Sequence, residues 1–190
     1  VIMSVMNNDN KGDGMNNLDV YLKSRHDFVN QFQLLYTYKQ LGKHEEVDLL
    51  IDELYKNLKQ EQLFLNAPCR KFVHNVFEYK LSLSGSKWTF EIDNSNIDYY
   101  QKNLERTDNT LTNIFNDLKY VVINDMDEKN IHISLTVEEE FVTMLVWLSA
   151  TNQDLNQIEQ SFSKYNVEVL SESQNHIELE FFINIKEIEV

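Results

Sequence analysis

A chain of 190 residues is long enough for one domain or two small ones, and 42% hydrophobic content is enough to build a packed core. A formal net charge of −14 argues against nucleic acid or an anionic membrane surface as partner, because both repel a polyanion. The single cysteine, Cys69, leaves no intramolecular disulfide and fits a reducing, cytoplasmic setting.

Residues 1–17 read as a flexible lead-in. Asn7-Asn8-Asp9-Asn10-Lys11-Gly12-Asp13-Gly14 is polar, rich in turn formers and without periodicity, and order is expected from Asn16 or Asn17, either of which suits a helix cap. A strongly amphipathic helix follows. At about 100° per residue, Leu18, Tyr21, Leu22, Phe28, Val29, Phe32, Leu35 and Tyr36 share an arc of roughly 140°. Arg25 lies within that arc and His26 about 40° past its edge, with Asn30 one turn later on the same side. His26 is therefore expected on the shoulder of the stripe, anchored by packing below and open above. Gly42 in Leu41-Gly42-Lys43 ends the helix.

A second helix runs from about His44 to Phe64, with Glu45 and Glu46 in its first turn and an apolar stripe of Val47, Leu50, Ile51, Leu54 and Leu58. One hairpin cannot bury both stripes, whereas two hairpins paired as a four-helix bundle can, so a homodimer is expected through residues 18–65.

Residues 66–190 read as a second domain. Pro68, the only proline, suits the first turn of a helix whose apolar face is Phe72, Val73, Val76, Phe77 and Leu81. Trp88 to Ile92 alternates as a strand, and a helix from about Asp98 to Val122 follows. Ile131–Val137 and Phe141–Leu148 read as a hairpin, the second strand so apolar that it should be central. Gln153 to Tyr165 is a helix, and Val167–Ser171 and His176–Asn184 are closing strands. The order α-β-α-β-β-α-β-β is a helix-on-sheet sandwich, so the whole chain is α+β. The longest apolar stretch, Phe141 to Ala150, is too short to span a membrane, and no signal peptide is visible.

The cluster Ser24-Arg25-His26-Asp27-Phe28-Val29-Asn30 resembles the phospho-acceptor helix of two-component histidine kinases, with an Arg-His-Asp-aromatic-x-Asn pattern. Its flanking residues favour a phospho-acceptor over an ordinary surface histidine. The segment is most similar to the sporulation initiation phosphotransferase B family of phosphorelay proteins. The order of elements after it is also that of a histidine-kinase ATP-binding domain. A kinase site of that class needs a DxGxG turn and a glycine-rich lid, where backbone approaches adenine and phosphates. The last glycine here is Gly85, and the place of the DxGxG turn is taken by Trp147-Leu148-Ser149-Ala150-Thr151. The helix before it keeps an echo of the kinase asparagine box in Asn113-Ile114-Phe115-Asn116-Asp117, whose Asn116 or Asp117 the resemblance makes the candidate Mg²⁺ ligand of an intact site. The resemblance thus implies a degenerate nucleotide site and no cofactor bound by this chain.

What the resemblance implies for function is phosphoryl exchange between response-regulator receiver domains through His26, with Mg²⁺ supplied by the receiver. Arg25 would neutralise phosphoryl oxygens or form an ion pair within the bundle. Asp27 and Asn30 are candidates for orienting the imidazole or, for Asn30, a hydrolytic water. Two alternatives stay open: a non-catalytic regulator that binds a receiver or kinase, and a degenerate histidine kinase. His44, His74, His132 and His176 show no metal-ligand spacing with one another or Cys69. Cys69 is read as a packing residue ahead of a reactive thiol.

Overall fold

The structure, a computed structural model, describes residues 17–83, 86–93, 103–121, 123, 130–138, 140–149, 155–173 and 176–185. The expected lead-in lies almost wholly outside these. The chain divides into two compact units, Val1–Asp48 and Leu49–Val190.

The first unit is built on α1 (Asn17–Gln40). The helix stops where the sequence places a glycine: Gly42 has φ +68°, a left-handed conformation that a Cβ would strain. Leu41 N donates to Thr37 O and Lys43 N to Tyr38 O, satisfying the last carbonyls of the helix. The next helix, α2 (His44–Leu65), starts with Glu45 and Glu46 in its first turn and continues into the second unit.

The second unit is a helix-on-sheet sandwich, and the α+β expectation holds. Helices α3 (Arg70–Ser82), α4 (Leu104–Val121) and α5 (Leu155–Phe162) accompany strands β1 (Lys87–Ile92), β2 (Asn130–Val137), β3 (Phe141–Ser149), β4 (Val167–Ser173) and β5 (His176–Asn184). The strands form one sheet in the order β1-β2-β3-β5-β4. β1 pairs parallel with β2, so the chain crosses over through α4, and the other pairings are antiparallel. β3 is central, as its apolar sequence predicts. Along β2, β3 and β5 every second residue is fully buried while its neighbours are half-buried. The buried set, Ile131 to Val137, Val142 to Leu148 and Ile177 to Ile183 by alternation, forms a core with Leu111, Ile114, Phe115 and Leu118 of α4 and with Ile158 and Phe162 of α5.

The end of α2 enters this core. Phe64 is fully buried, with its ring 4.6 Å from that of Phe90 and 5.9 Å from that of Phe72. Lys80 of α3 pairs with Glu61 at 2.8 Å, and Gln60 accepts the Ile92 amide at 3.3 Å. Pro68 lies two residues ahead of α3, outside the first turn that its φ would suit. Cys69 occupies the N-cap and offers no side-chain hydrogen bond there.

The missing cap comes from another helix. Asp108 of α4, itself buried, accepts the amides of Lys71 at 3.0 Å and Phe72 at 2.8 Å, so one carboxylate satisfies two donors at the start of α3. Asp108→Ala should lower the unfolding free energy by about 3 kcal/mol, the cost of stranding two buried amides that had a charged acceptor. Asp108→Asn should cost less, since one oxygen remains. Urea denaturation of the three proteins measures both differences.

Candidate functional site

His26 lies near the middle of α1, held on a continuous helix and exposed. Arg25 and Asn30 are also exposed, while the side chain of Asp27 lies outside the described residues. One turn of helix brings Asn30 onto the ring: its Nδ2 is 3.3 Å from His26 Nδ1. The two ends of a carboxamide are interchangeable by rotation. With the amide nitrogen on Nδ1, the ring proton sits on Nε2. With the oxygen there, Nδ1–H donates and Nε2 carries the lone pair, directed away from Asn30. Asn30 can thus support either tautomer, and its orientation goes with which ring nitrogen carries the lone pair.

The stripe beside His26 is not covered. Phe28, Phe32 and Tyr36 are 58%, 57% and 62% exposed, and Leu22 and Val29 are exposed too. The Phe28 and Phe32 rings meet at 4.7 Å, and an open apolar depression of about 580 Å³ runs over Phe28, Val29, Phe32, Gln33, Tyr36 and Thr37. Phe28, Val29 and Phe32 are thus not core residues of the single chain. On α2, Leu49, Ile51, Tyr55 and Leu58 are likewise exposed.

The α4 segment that resembles an asparagine box has its polar side chains engaged within the protein. Asn75 of α3 donates from Nδ2 to Asn116 Oδ1 at 2.8 Å and accepts Lys119 Nζ at 2.8 Å. Lys119 lies over the rings of Tyr79 and Phe115, and this burial pushes its ammonium below its ordinary value despite Glu78 nearby. Asp117 accepts the Tyr165 hydroxyl at 2.5 Å and Lys164 Nζ at 2.8 Å. Trp147, Leu148 and Ser149, at the position of the kinase glycine turn, continue β3 and pair with Glu178, Ile177 and His176. Sequence reading had no access to these partners, since Asn75 and Asn116 are 41 residues apart and Asp117 and Tyr165 are 48 apart.

The remaining candidates are structural. Burial, and then the charge of Asp108, push the Cys69 thiol far up, so it is a packing residue. His74 faces Glu78 on the surface of α3. His132 accepts or donates to Thr89 Oγ1 at 2.9 Å, and partial burial holds it below its ordinary value against the pull of Glu91 and Glu178. Among the described residues no three His, Cys, Asp or Glu converge as a metal site. No described helix is long and apolar enough to cross a membrane.

Residues 14–67 match the family model of the alpha-helical domain of SpoOB-type sensor kinases. The match contains Arg25, His26, Asp27 and Asn30, and it stops where α3 and the sandwich begin. Among curated proteins none matches. Solved structures similar to this chain include the catalytic domain of histidine kinase ThkA, at 14% identity over 64% of this chain and 92% of that one, with a TM-score of 0.38. A second is histidine kinase ThkA in complex with the response regulator protein TrrA, at 15% identity over 88% of this chain and 61% of that one, with a TM-score of 0.41. A third is the Acinetobacter baumannii histidine kinase AdeS, at 13% identity over 85% of this chain and 98% of that one, with a TM-score of 0.37.

The electrostatics of Asp117 give a test of its engagement. Partial burial pushes its carboxyl up, but hydrogen bonds from Lys164 and Tyr165 and the charge of Lys164 outweigh this and hold it below its ordinary value. A carboxylate lowered on folding contributes stability at neutral pH, and the contribution fades as pH falls through the folded-state value. Asp117→Asn should be less stable than the unmodified protein at pH 7, with the gap closing between about pH 5 and pH 2. Denaturant midpoints across that range give the comparison.

Proposed function

We propose that the chain is a phosphorelay histidine phosphotransferase that exchanges a phosphoryl group between receiver domains of response regulators through His26. The observation that carries this reading is an exposed histidine on a rigid helix, with an amide one turn away at Nδ1. A nucleophile for an incoming aspartyl phosphate must be open to the partner yet fixed in direction.

In the forward step Nε2 attacks phosphorus in line. The bond from phosphorus to the aspartyl oxygen breaks, its electron pair returns to the receiver's carboxylate, and the ring keeps its Nδ1 proton, which the Asn30 carboxamide accepts when turned to present Oδ1. The reverse step onto a second receiver regenerates neutral His26. The transition state is loose and highly charged, so positioning and charge neutralisation dominate. Arg25 supplies a cation to the phosphoryl oxygens, and Mg²⁺ belongs to the receiver's acidic pocket.

The same reading assigns the exposed stripes of α1 and α2 to a homodimeric four-helix bundle, whose outer surface docks the receiver. It also takes the chain as independent of ATP. Support comes from the absence of glycine after Gly85 and from the engagement of Asn116 and Asp117 by Asn75, Tyr165 and Lys164. The competing non-catalytic regulator would dock in the same place and take no label.

Incubation with phosphorylated receivers of the host should place acid-labile label on the chain. His26→Gln should abolish it while leaving fold and assembly intact, and Arg25→Ala should slow transfer roughly 10- to 100-fold through lost charge neutralisation. Label persisting on the His26→Gln protein would refute the assignment, and no label from any host receiver would favour the docking regulator.

Sedimentation should show a dimer that Phe32→Asp disperses, and calorimetry with millimolar Mg-ATP should show no saturable heat. A clean monomer counts against the bundle, and saturable heat revives the kinase.

A further inference from the structure

The sheet of the second unit has two faces, and the described helices α3, α4 and α5 pack on one. The other face carries the half-buried alternate residues of β2, β3 and β5. Leu145 and Trp147 of β3 form an apolar ridge on it, continued by Phe182 on β5, which pairs with Thr143. Around one end an open depression of about 490 Å³ is bordered by Phe182, Glu168 and Glu180.

Beside the ridge the face is acidic. Leu145 pairs with Glu180 and Trp147 with Glu178, and Glu180 pairs on its other side with Glu168 of the edge strand β4. Like charges directly opposite across a ladder are destabilising. Partial burial, then Glu168 and Glu178, push the Glu180 carboxyl up. Among the described residues no lysine or arginine forms an ion pair with these three carboxylates. A sheet that keeps uncompensated like charges next to half-buried aromatic and aliphatic side chains departs from local stability rules in the way binding surfaces do.

We propose that this face docks a basic amphipathic helix of a partner protein. Its apolar stripe would lie along Leu145, Trp147 and Phe182, and its lysines or arginines would reach the carboxylates of Glu168, Glu178 and Glu180. The ridge, from the Thr143–Phe182 pair to Trp147, is about 14 Å long, so a helix of about 14 residues covers it with a turn to spare. A helix laid there would complete a third layer on the sheet. Charge complementarity selects the basic partner: the β5 residues paired with Leu145 and Trp147 are acids, with His176 beyond them against the Trp147 ring at 5.5 Å, and the whole chain carries −14. The proposal is independent of the phosphoryl chemistry at His26.

The test uses the full chain and a fluorescein-labelled peptide of about 14 residues, leucines and lysines in helical period with blocked ends. Anisotropy should show saturable binding that weakens at least tenfold in the double variant Glu168→Gln with Glu180→Gln. That variant should also melt at a higher temperature than the unmodified protein, because the repulsion is relieved. The charge-matched control, Glu105→Gln with Glu159→Gln on the helical layer, should change binding less than twofold, and Leu145→Thr should weaken it several-fold. No binding at millimolar protein, or an equal loss in both double variants, overturns the proposal.

Discussion

A buried carboxylate holds the helical layer of the sandwich together. Helix α3 begins after a proline and a cysteine that offer its first amides nothing, and Asp108 reaches across from α4 to accept two of them. The partial positive charge of the helix start makes that buried carboxylate tolerable, and the carboxylate in turn fixes where α3 begins. With α3 and α4 locked, Phe72 and Phe115 meet edge to face at 6.1 Å, and Phe64 at the end of α2 finds its place against Phe72, Phe77 and Phe90. The aromatic core beneath the sheet is thus ordered by one polar contact between residues far apart in sequence.

The same helix pair engages the segment of α4 that resembles an asparagine box. In a nucleotide site, Asn116 and Asp117 would need free oxygens facing a metal. Here Asn116 accepts from Asn75, which also accepts from Lys119, and Asp117 is shared between Tyr165 and Lys164. These bonds tie α4 to α3 on one side and to the turn after α5 on the other. Residues that resemble a kinase box in sequence are braces between helices in this structure.

α1 works under opposite demands. A histidine that is to meet another protein must stay exposed, and its helix must still be rigid. The helix supplies direction through its own hydrogen bonds and through Asn30 at the ring, but Leu22, Phe28, Val29, Phe32 and Tyr36 of its stripe stand exposed in the single chain. Rings as large as Phe28, Phe32 and Tyr36 standing open together exceed what scattered surface hydrophobics need. In the proposed function, this imbalance between a polar shoulder and an exposed stripe would link the acceptor to assembly.

Much of this was legible in sequence because it depends on local periodicity and on single special residues. The helical period of α1 and α2, the left-handed stop at Gly42, the alternation of the five strands and the central place of β3 follow from spacing and from the φ that glycine allows. The shoulder position of His26 and the i to i+4 approach of Asn30 are also helix arithmetic. Other features needed the tertiary structure, because they join residues with no sequence relation. The trans cap of α3 by Asp108, the start of that helix beyond Pro68, the braces on Asn116 and Asp117, and the facing of Glu168 with Glu180 belong here. Amphipathic spacing told which residues shun water but not whether the chain covers them by itself. Periodicity fixes a face, whereas its burial depends on what the rest of the molecule brings to it.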